Sequence, residues 1–227
     1  MENYSTKILK KTQLTSGIIE LVLDKPKGFN FSTGQYLQAK IPDGTQQVLR
    51  AYSIASIPED EQLLLGVKIV KNGLAGEFFR KVEQGAQFEF RGPGGEFFLQ
   101  DGQSSYYFIG VGIGITPLLS MIRTLLEVQK VEVPVRLLFG LRNEEDLFWC
   151  DTLEYFKTTY CNFSYDITLS QPSATWRGKQ GRVLEHLDDT PIDADFYVCG
   201  SGMMVNNTRM TLLSHTVPSK HIHLELF

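Results

Sequence analysis

Over the first hundred residues, apolar and polar side chains alternate in short runs. Residues 7–10, 18–23, 35–41, 52–55, 63–70 and 87–91 each span four to eight positions, and turn residues such as Pro42-Asp-Gly and Lys71-Asn-Gly separate them. Several short strands at spacings near ten residues predict an antiparallel β-barrel. One short helix, from about Ala75 to Val82, interrupts the series.

From Tyr106 the period changes. Residues 106–111 form a continuous apolar run, the pattern of a strand covered on both faces. Pro117 to Gln129 follows with apolar side chains at 118, 119, 121, 122, 125 and 126, which is helical spacing. Further strands are expected at 135–140, 164–169, 195–200 and 221–227, and further helices at 147–158, 182–187 and 203–214. Strands and helices alternating in this way predict a doubly wound parallel α/β sheet. The polar, glycine-containing stretch Gln100-Asp-Gly-Gln-Ser-Ser105 marks the boundary, so two domains are expected, 1–102 and 103–227.

Composition narrows the classes. The 227 residues carry 42% hydrophobic and 21% charged side chains, an ordinary globular balance. The longest apolar run, Phe108 to Met121, is too short and too broken by glycine to span a bilayer. The polar N-terminus lacks a secretory pattern, so a cytoplasmic location is expected. A formal net charge of −4 without a basic run argues against nucleic acid as a partner. Cys150, Cys161 and Cys199 form no metal-binding spacing; three buried thiols are expected, with no metal and no all-cysteine iron–sulfur cluster.

Four segments carry candidate chemistry. Gly110-Val-Gly-Ile-Gly-Ile-Thr-Pro117 joins the first apolar strand to a helix; Gly110, Gly112 and Gly114 suit a tight turn that approaches a pyrophosphate, or act only as turn formers. Pro117 fits a first helical turn. The spacing departs from the usual Gly-x-Gly-x-x-Gly. Cys199 and Gly200 end a later strand at the edge where such sheets bind ligands; Cys199 is either a small buried residue or a thiol beside a nicotinamide ring. Arg50-Ala-Tyr-Ser53 lies in the barrel half, and Gly73-Leu-Ala-Gly76 opens a helix with a second possible phosphate cradle.

In this order, from about residue 5 to the last, these segments resemble the ferredoxin–NADP reductase superfamily, whose members pair a flavin-binding barrel with an NAD(P)-binding α/β domain. The resemblance implies that Arg50 meets the flavin phosphate, that Tyr52, following Ala51, packs on the isoalloxazine, and that Ser53 lies near flavin N5. Val67, Lys68 and Ile69 match the strand whose backbone follows the flavin's adenosine side. Gly73, Leu74, Ala75 and Gly76 match the Gly-x-x-Ser pyrophosphate turn, with Gly76 in place of the serine. Gly92-Pro-Gly-Gly-Glu-Phe97 matches the barrel's end, and Thr116 would lie near the flavin edge. Phe139-Gly-Leu-Arg142-Asn and Asp146-Leu-Phe-Trp149 match the strand and helix that follow. Cys199-Gly200-Ser-Gly-Met203-Met204 matches a Cys-Gly-x-x-x-Met segment, and Glu225-Leu-Phe227 an acidic-x-aromatic terminus whose ring shields the flavin until nicotinamide displaces it.

The function this implies is hydride transfer from NADH or NADPH to FAD, with electrons passed to a separate acceptor such as a ferredoxin, an oxygenase component or a haem protein. Ser53 would hydrogen-bond N5, and Cys199 and Glu225 would orient nicotinamide. A second reading is a reductase that releases reduced free flavin, supported by Trp176-Arg-Gly-Lys-Gln-Gly181. A third is a reductase-like binding subunit without catalysis. The third strand is followed by Ser170-Gln-Pro with no immediate arginine, while Arg177, Lys179 and Arg182 come later; NADH is favoured over NADPH.

Overall fold

Each alternating run of the first half is a strand in the computed structural model, which describes residues 1–100, 102, 104–188, 190, 191 and 193–227. These strands are β1 (Glu2–Thr15), β2 (Ile18–Asp24), β3 (Tyr36–Asp43), β4 (Gln46–Ser53), β5 (Gln62–Lys68) and β6 (Gln87–Gly94). They pair antiparallel in the order β4-β3-β6-β1-β2-β5. The two ends of that order are joined past β4, where Ile54 bridges Leu65 and the Ala55 N–H donates to the Leu64 carbonyl at 2.8 Å. A closed barrel satisfies the backbone groups that an open sheet would leave at its edges.

Alternation turns one face of each strand inward. Along β3, Leu37, Ala39 and Ile41 are buried while Gln38 and Lys40 between them are not. The core they meet is aromatic: Phe29, Phe79, Phe88 and Phe90 are all essentially inaccessible, and Phe29 meets Phe90 edge-on at 5.2 Å. Burying each such ring contributes about 1.5–3 kcal/mol, and edge-on contact suits the ring quadrupoles. Helix α1 (Leu74–Lys81) supplies Phe79 to this core. The strand expected at 52–55 in fact begins at Gln46. Its first residues are polar and exposed, so it forms by pairing with β3 rather than by burial.

The second half builds β7 (Tyr106–Val111), α2 (Ile115–Arg123), β8 (Val135–Leu141), α3 (Cys150–Thr159), β9 (Phe163–Leu169), β10 (Lys179–Gln180), β11 (Asp195–Gly200), α4 (Gly202–Ser214) and β12 (Ile222–Leu226). Its strands are parallel, in the order β10-β9-β8-β7-β11-β12. Every residue of β11 is buried, as the continuous apolar run requires of a central strand. The chain walks outward through β7, β8 and β9, then returns to the other side at β11. The β7/β11 junction is therefore the point of strand reversal, where such sheets bind ligands.

Two compact units result: Met1–Leu99 with Leu119–Thr124, and Gln100–Leu118 with Leu125–Phe227. Asp101 and Gln103, within the expected boundary segment, lie outside the described residues. The helix expected to run to Gln129 leaves α geometry after Arg123 and widens into a π turn over Thr124–Val128. It closes with Lys130 at φ 50° and the Val131 N–H on the Leu125 carbonyl at 3.0 Å, a six-residue return that ends the helix. The helix expected from Leu147 starts at Cys150, because Trp149 before it is left-handed at φ 55°. The segment 182–187 is a 3₁₀ turn over Val183–His186. Of the three cysteines expected to be buried, only Cys199 is; Cys161 is exposed and Cys150 intermediate.

Candidate functional site

In the first unit, Arg50, Ala51, Tyr52 and Ser53 close β4, facing Ala39, Gln38, Leu37 and Tyr36 of β3. Arg50 is exposed and its guanidinium donates to the Leu49 carbonyl at 3.0 Å; among the described residues no carboxylate pairs with it. Tyr52 is half-buried, its ring edge-on to Phe79 at 5.1 Å. Burial pushes its hydroxyl up to about 12, against the opposing pull of Arg50, so Tyr52 stays a neutral phenol across ordinary pH. The Tyr52–Phe79 contact ties β4 to α1.

That helix begins without a side-chain cap. Gly73 is its N-cap, in extended geometry, and donates its own N–H to the Val70 carbonyl at 3.1 Å. Leu74, Ala75 and Gly76 form the first turn, whose N–H groups have no partner within the helix. Gly76 is there for space: a Cβ on it would lie 2.4 Å from the Val70 carbonyl oxygen. Val67 is buried and Lys68 exposed at the end of β5, and Ile69 donates to the Gly17 carbonyl at 2.8 Å. An uncapped helix start, an unopposed guanidinium and a half-exposed ring on one small unit suit a ligand that has both phosphates and a flat aromatic system.

In the second unit the expected residues gather at the carboxyl edge of the sheet. Gly110 on β7, Cys199 on β11 and Glu225 on β12 are direct neighbours in one row across three strands. Gly200 sits opposite Leu226 in the next row, and the Phe227 N–H donates to the Gly200 carbonyl at 3.3 Å. Between Gly110 and α2, Gly112 adopts φ 53°, and a Cβ on Gly114 would stand 2.3 Å from the Cys199 carbonyl oxygen. Only glycine lets the turn rest this closely on β11. Thr116 is buried and donates to the Ile113 carbonyl at 2.7 Å, so its hydroxyl braces the same turn, and Pro117 is buried behind it.

Burial, and then the neighbouring Glu225, push the Cys199 thiol well above its ordinary range. Burial likewise raises the Glu225 carboxyl. Cys199 is therefore a neutral S–H and no nucleophile. Around this row Met203 is 73% exposed at the start of α4, and Phe227 is 58% exposed. Arg142 is exposed after β8, and its carbonyl accepts the Gln171 N–H at 2.7 Å.

Two clusters were missed by sequence reasoning. Asp195, 1% exposed, takes contacts from His221 Nδ1 at 3.1 Å and His223 Nε2 at 2.6 Å at the opposite, amino end of the sheet. Glu144 accepts hydrogen bonds from both the N–H and the hydroxyl of Ser173. The His-x-His of the last strand and the acid three residues past β8 were the available signals. Among the described residues no group of histidine, cysteine and acidic side chains is arranged to hold a metal ion.

Two family models match stretches of the chain. Residues 5–99 match the oxidoreductase FAD-binding domain model and residues 108–210 the oxidoreductase NAD-binding domain model. The chain is similar to ferredoxin–NADP reductase B of Sorangium cellulosum, with 31% identity over all of this chain and 98% of that one. It is also 31% identical to the 2-halobenzoate 1,2-dioxygenase electron transfer component of Burkholderia cepacia, over 91% of this chain and only 62% of that longer protein. Among solved structures, the cytochrome P450 reductase GcoB of Amycolatopsis superposes over all of this chain and 70% of its own, with TM-score 0.91 and 25% identity.

Proposed function

This chain belongs to the ferredoxin–NADP reductase superfamily, and from that premise we propose the parts its own residues take in moving electrons from NAD(P)H through FAD to a separate acceptor. It is an NAD(P)H-dependent flavoprotein oxidoreductase. The observation that carries the proposal is the row Gly110–Cys199–Glu225, at the point of strand reversal.

FAD, when bound, would supply the redox chemistry. The chain's residues bind, orient and exclude water. Arg50 and the first-turn N–H groups of Leu74, Ala75 and Gly76 hold the flavin phosphates, because cations and helix starts both favour anions. Tyr52 presents its ring to the isoalloxazine, and Ser53 offers a hydrogen bond at flavin N5. Val67, Lys68 and Ile69 contribute backbone along the adenosine part. We place this flavin function on residues 1–102 and the nucleotide function on residues 103–227.

On the nucleotide side, the turn Gly110–Pro117 carries the pyrophosphate, with Arg142 beside it. Cys199, a neutral S–H, and Glu225, whose carboxyl burial raises, orient the nicotinamide amide. Gly200 and Met203 border the ring's place, and Phe227 is the ring that nicotinamide displaces. Positioning of this kind is worth several kcal/mol of barrier, provided the donor carbon and N5 are brought close and water is kept out.

For the acceptor we propose an oxygenase component, a ferredoxin or a haem protein; the dioxygenase component and the P450 reductase among the relatives support these classes. Operation in the cytoplasm belongs to the same proposal, and no helix of the described residues is long and apolar enough to cross a membrane. Anaerobic addition of NADH or NADPH to the FAD-loaded protein should bleach the flavin's visible absorbance, and ferricyanide should restore it. A protein that binds FAD and stays oxidised with both nucleotides would refute the assignment.

Gly76 favours a second reading. Without the hydroxyl of a serine there, the flavin phosphates have one donor fewer, which suits release of reduced free flavin. Purification as colourless protein that turns over added flavin would select it; a retained yellow cofactor would exclude it.

A further inference from the structure

We propose that Asn72 is a modification site: its side-chain amide deamidates through Gly73 when FAD is absent, and bound FAD keeps the site closed. The product binds FAD more weakly, so a chain that has shed its cofactor is the one retired. The inference rests on the flavin reading above and adds a chemical consequence of losing the cofactor.

Asn72 is the one asparagine of the chain that glycine follows. An asparagine carboxamide is open to attack by the backbone nitrogen of the next residue, and glycine leaves that nitrogen unshielded because it has no Cβ. Asn72 is exposed in the turn between β5 and α1, and Val70 and Lys71 before it are exposed as well. Each of the pair has a structural reason to be there. Asn72 is left-handed at φ 60°, a conformation that asparagine tolerates better than most side chains. Gly73 is short of room, since a Cβ on it would lie 3.3 Å from both the Val70 carbonyl oxygen and the Val70 Cβ. The fold therefore places a reactive pair on its surface as a by-product of the turn.

In the closed turn the nitrogen is occupied. The Gly73 N–H donates to the Val70 carbonyl at 3.1 Å, and the Gly73 carbonyl accepts the Glu77 N–H at 2.9 Å as α1 begins. To attack, the nitrogen must give up its proton and leave Val70, and its peptide unit must swing toward the Asn72 side chain. Opening the turn thus unwinds the start of α1. Little burial resists this, because Val70, Lys71, Asn72 and Leu74 are exposed and the helix has no side-chain cap; such segments open locally at small cost. Flavin phosphates on the N–H groups of Leu74, Ala75 and Gly76 bind only the wound helix. With free FAD at about a hundred times its Kd, mass action suppresses the opening by about a hundredfold.

In the reaction the Gly73 nitrogen bonds to the side-chain carbonyl carbon of Asn72, and the carboxamide C–N bond breaks. Ammonia leaves, carrying the proton that the backbone nitrogen gave up. The cyclic imide adds water and opens to aspartate, or to isoaspartate with the backbone rerouted through the side chain; no oxidant, reductant or cofactor enters. Both products set a carboxylate immediately before the N-cap Gly73, at the positive helix end that the flavin phosphates use. Isoaspartate also lengthens the backbone by one carbon. That displaces α1 against the Val70 carbonyl, where Gly76 already lacks room for a Cβ.

The test incubates the full-length protein at mildly alkaline pH, where the attacking nitrogen loses its proton more readily, in three arms: FAD-loaded, FAD-free and unfolded in urea. Peptide mass spectrometry follows each asparagine. Asn72 should convert at least about tenfold faster in the FAD-free chain than in the FAD-loaded one, and more slowly than in urea. Asn206 and Asn207, exposed but not followed by glycine, should stay intact in both folded arms. The converted fraction, separated by its added negative charge, should bind FAD at least about tenfold more weakly than the intact fraction, and Asn72→Asp should reproduce part of that loss. Asn72→Gly keeps the left-handed turn and should hold its FAD affinity through the same incubation. Equal rates with and without FAD, a FAD-free rate as fast as in urea, an Asn72 that stays intact without FAD, or a converted fraction that binds FAD undiminished would each overturn the inference. A chain that binds no FAD would strike the flavin reading as well, whereas binding without protection strikes this inference alone.

Discussion

Cys199 and Glu225 face each other across the parallel β11–β12 pair, the thiol fully buried and the carboxyl half-buried, and both hold their protons more tightly than free side chains do. Burial is the larger cause for each, and the carboxylate further penalises a thiolate. The unfolded chain ionises Glu225 near its ordinary value of 4.5, whereas the folded chain waits for a higher pH. Between those two values the folded state binds more protons, so the stability from this group is full below 4.5 and is lost as pH rises through the raised value. Glu225→Gln removes the titration. Urea unfolding across that window should show wild type losing stability with rising pH more steeply than the variant; parallel profiles would contradict the burial argument.

The three thiols should separate by reactivity. Only the thiolate attacks an alkylating agent, and Cys161 is exposed while burial raises both Cys150 and, far more, Cys199. Timed iodoacetamide labelling read by peptide mass spectrometry should give the order Cys161, Cys150, Cys199, with Cys199 labelled only after unfolding. Early labelling of Cys199 in the native protein would show that the carboxyl edge opens.

Asp195 is the buried polar anchor of the same two strands. Its carboxylate joins His221 and His223, and His223 also stacks on Tyr197 at 4.6 Å. Asp195→Ala leaves two ring nitrogens without an acceptor and should cost about 2–3 kcal/mol. It should also raise KM for the nucleotide, because β12 carries Glu225 in register from this end and leads directly into Phe227. Chemical denaturation and steady-state kinetics check the two parts; a loss of stability with unchanged KM would confine Asp195 to a structural role.

Much of this fold was legible because alternation and continuous apolar runs report burial directly. Leu37, Ala39 and Ile41 point inward as their spacing requires, and β11 is buried from Asp195 to Gly200. What escaped was held by partners rather than by pattern. Gln46 and Gln47 are strand residues through pairing with Asp43 and Pro42, and their polarity hid them. The candidate site followed the same division. Gly110, Cys199 and Glu225 were readable from local motifs, and the sheet set them side by side. The Glu144–Ser173 clamp spans 29 residues and the Asp195–His223 pair 28, separations at which a single sequence carries no contact information.

Gly76 offers the sharpest test of the flavin side. A Cβ there would stand 2.4 Å from the Val70 carbonyl oxygen and 3.3 Å from its nitrogen, and backbone gives way less readily than a side-chain tip. Gly76→Ala and Gly76→Ser carry the same Cβ, so both should lose about 1–3 kcal/mol of stability through overpacking. That loss must exceed the roughly 1 kcal/mol gained by removing glycine from a helix. The two variants differ only in the hydroxyl, which can donate to a flavin phosphate; hydrogen bonds to charged groups contribute about 1.5–3 kcal/mol. Gly76→Ser should therefore bind FAD at least about tenfold more tightly than Gly76→Ala, measured by fluorescence titration, even though both melt below wild type. If Gly76→Ala melts with wild type, the close approach to Val70 does not govern this position. If the two variants bind FAD equally, no flavin phosphate reaches the start of α1.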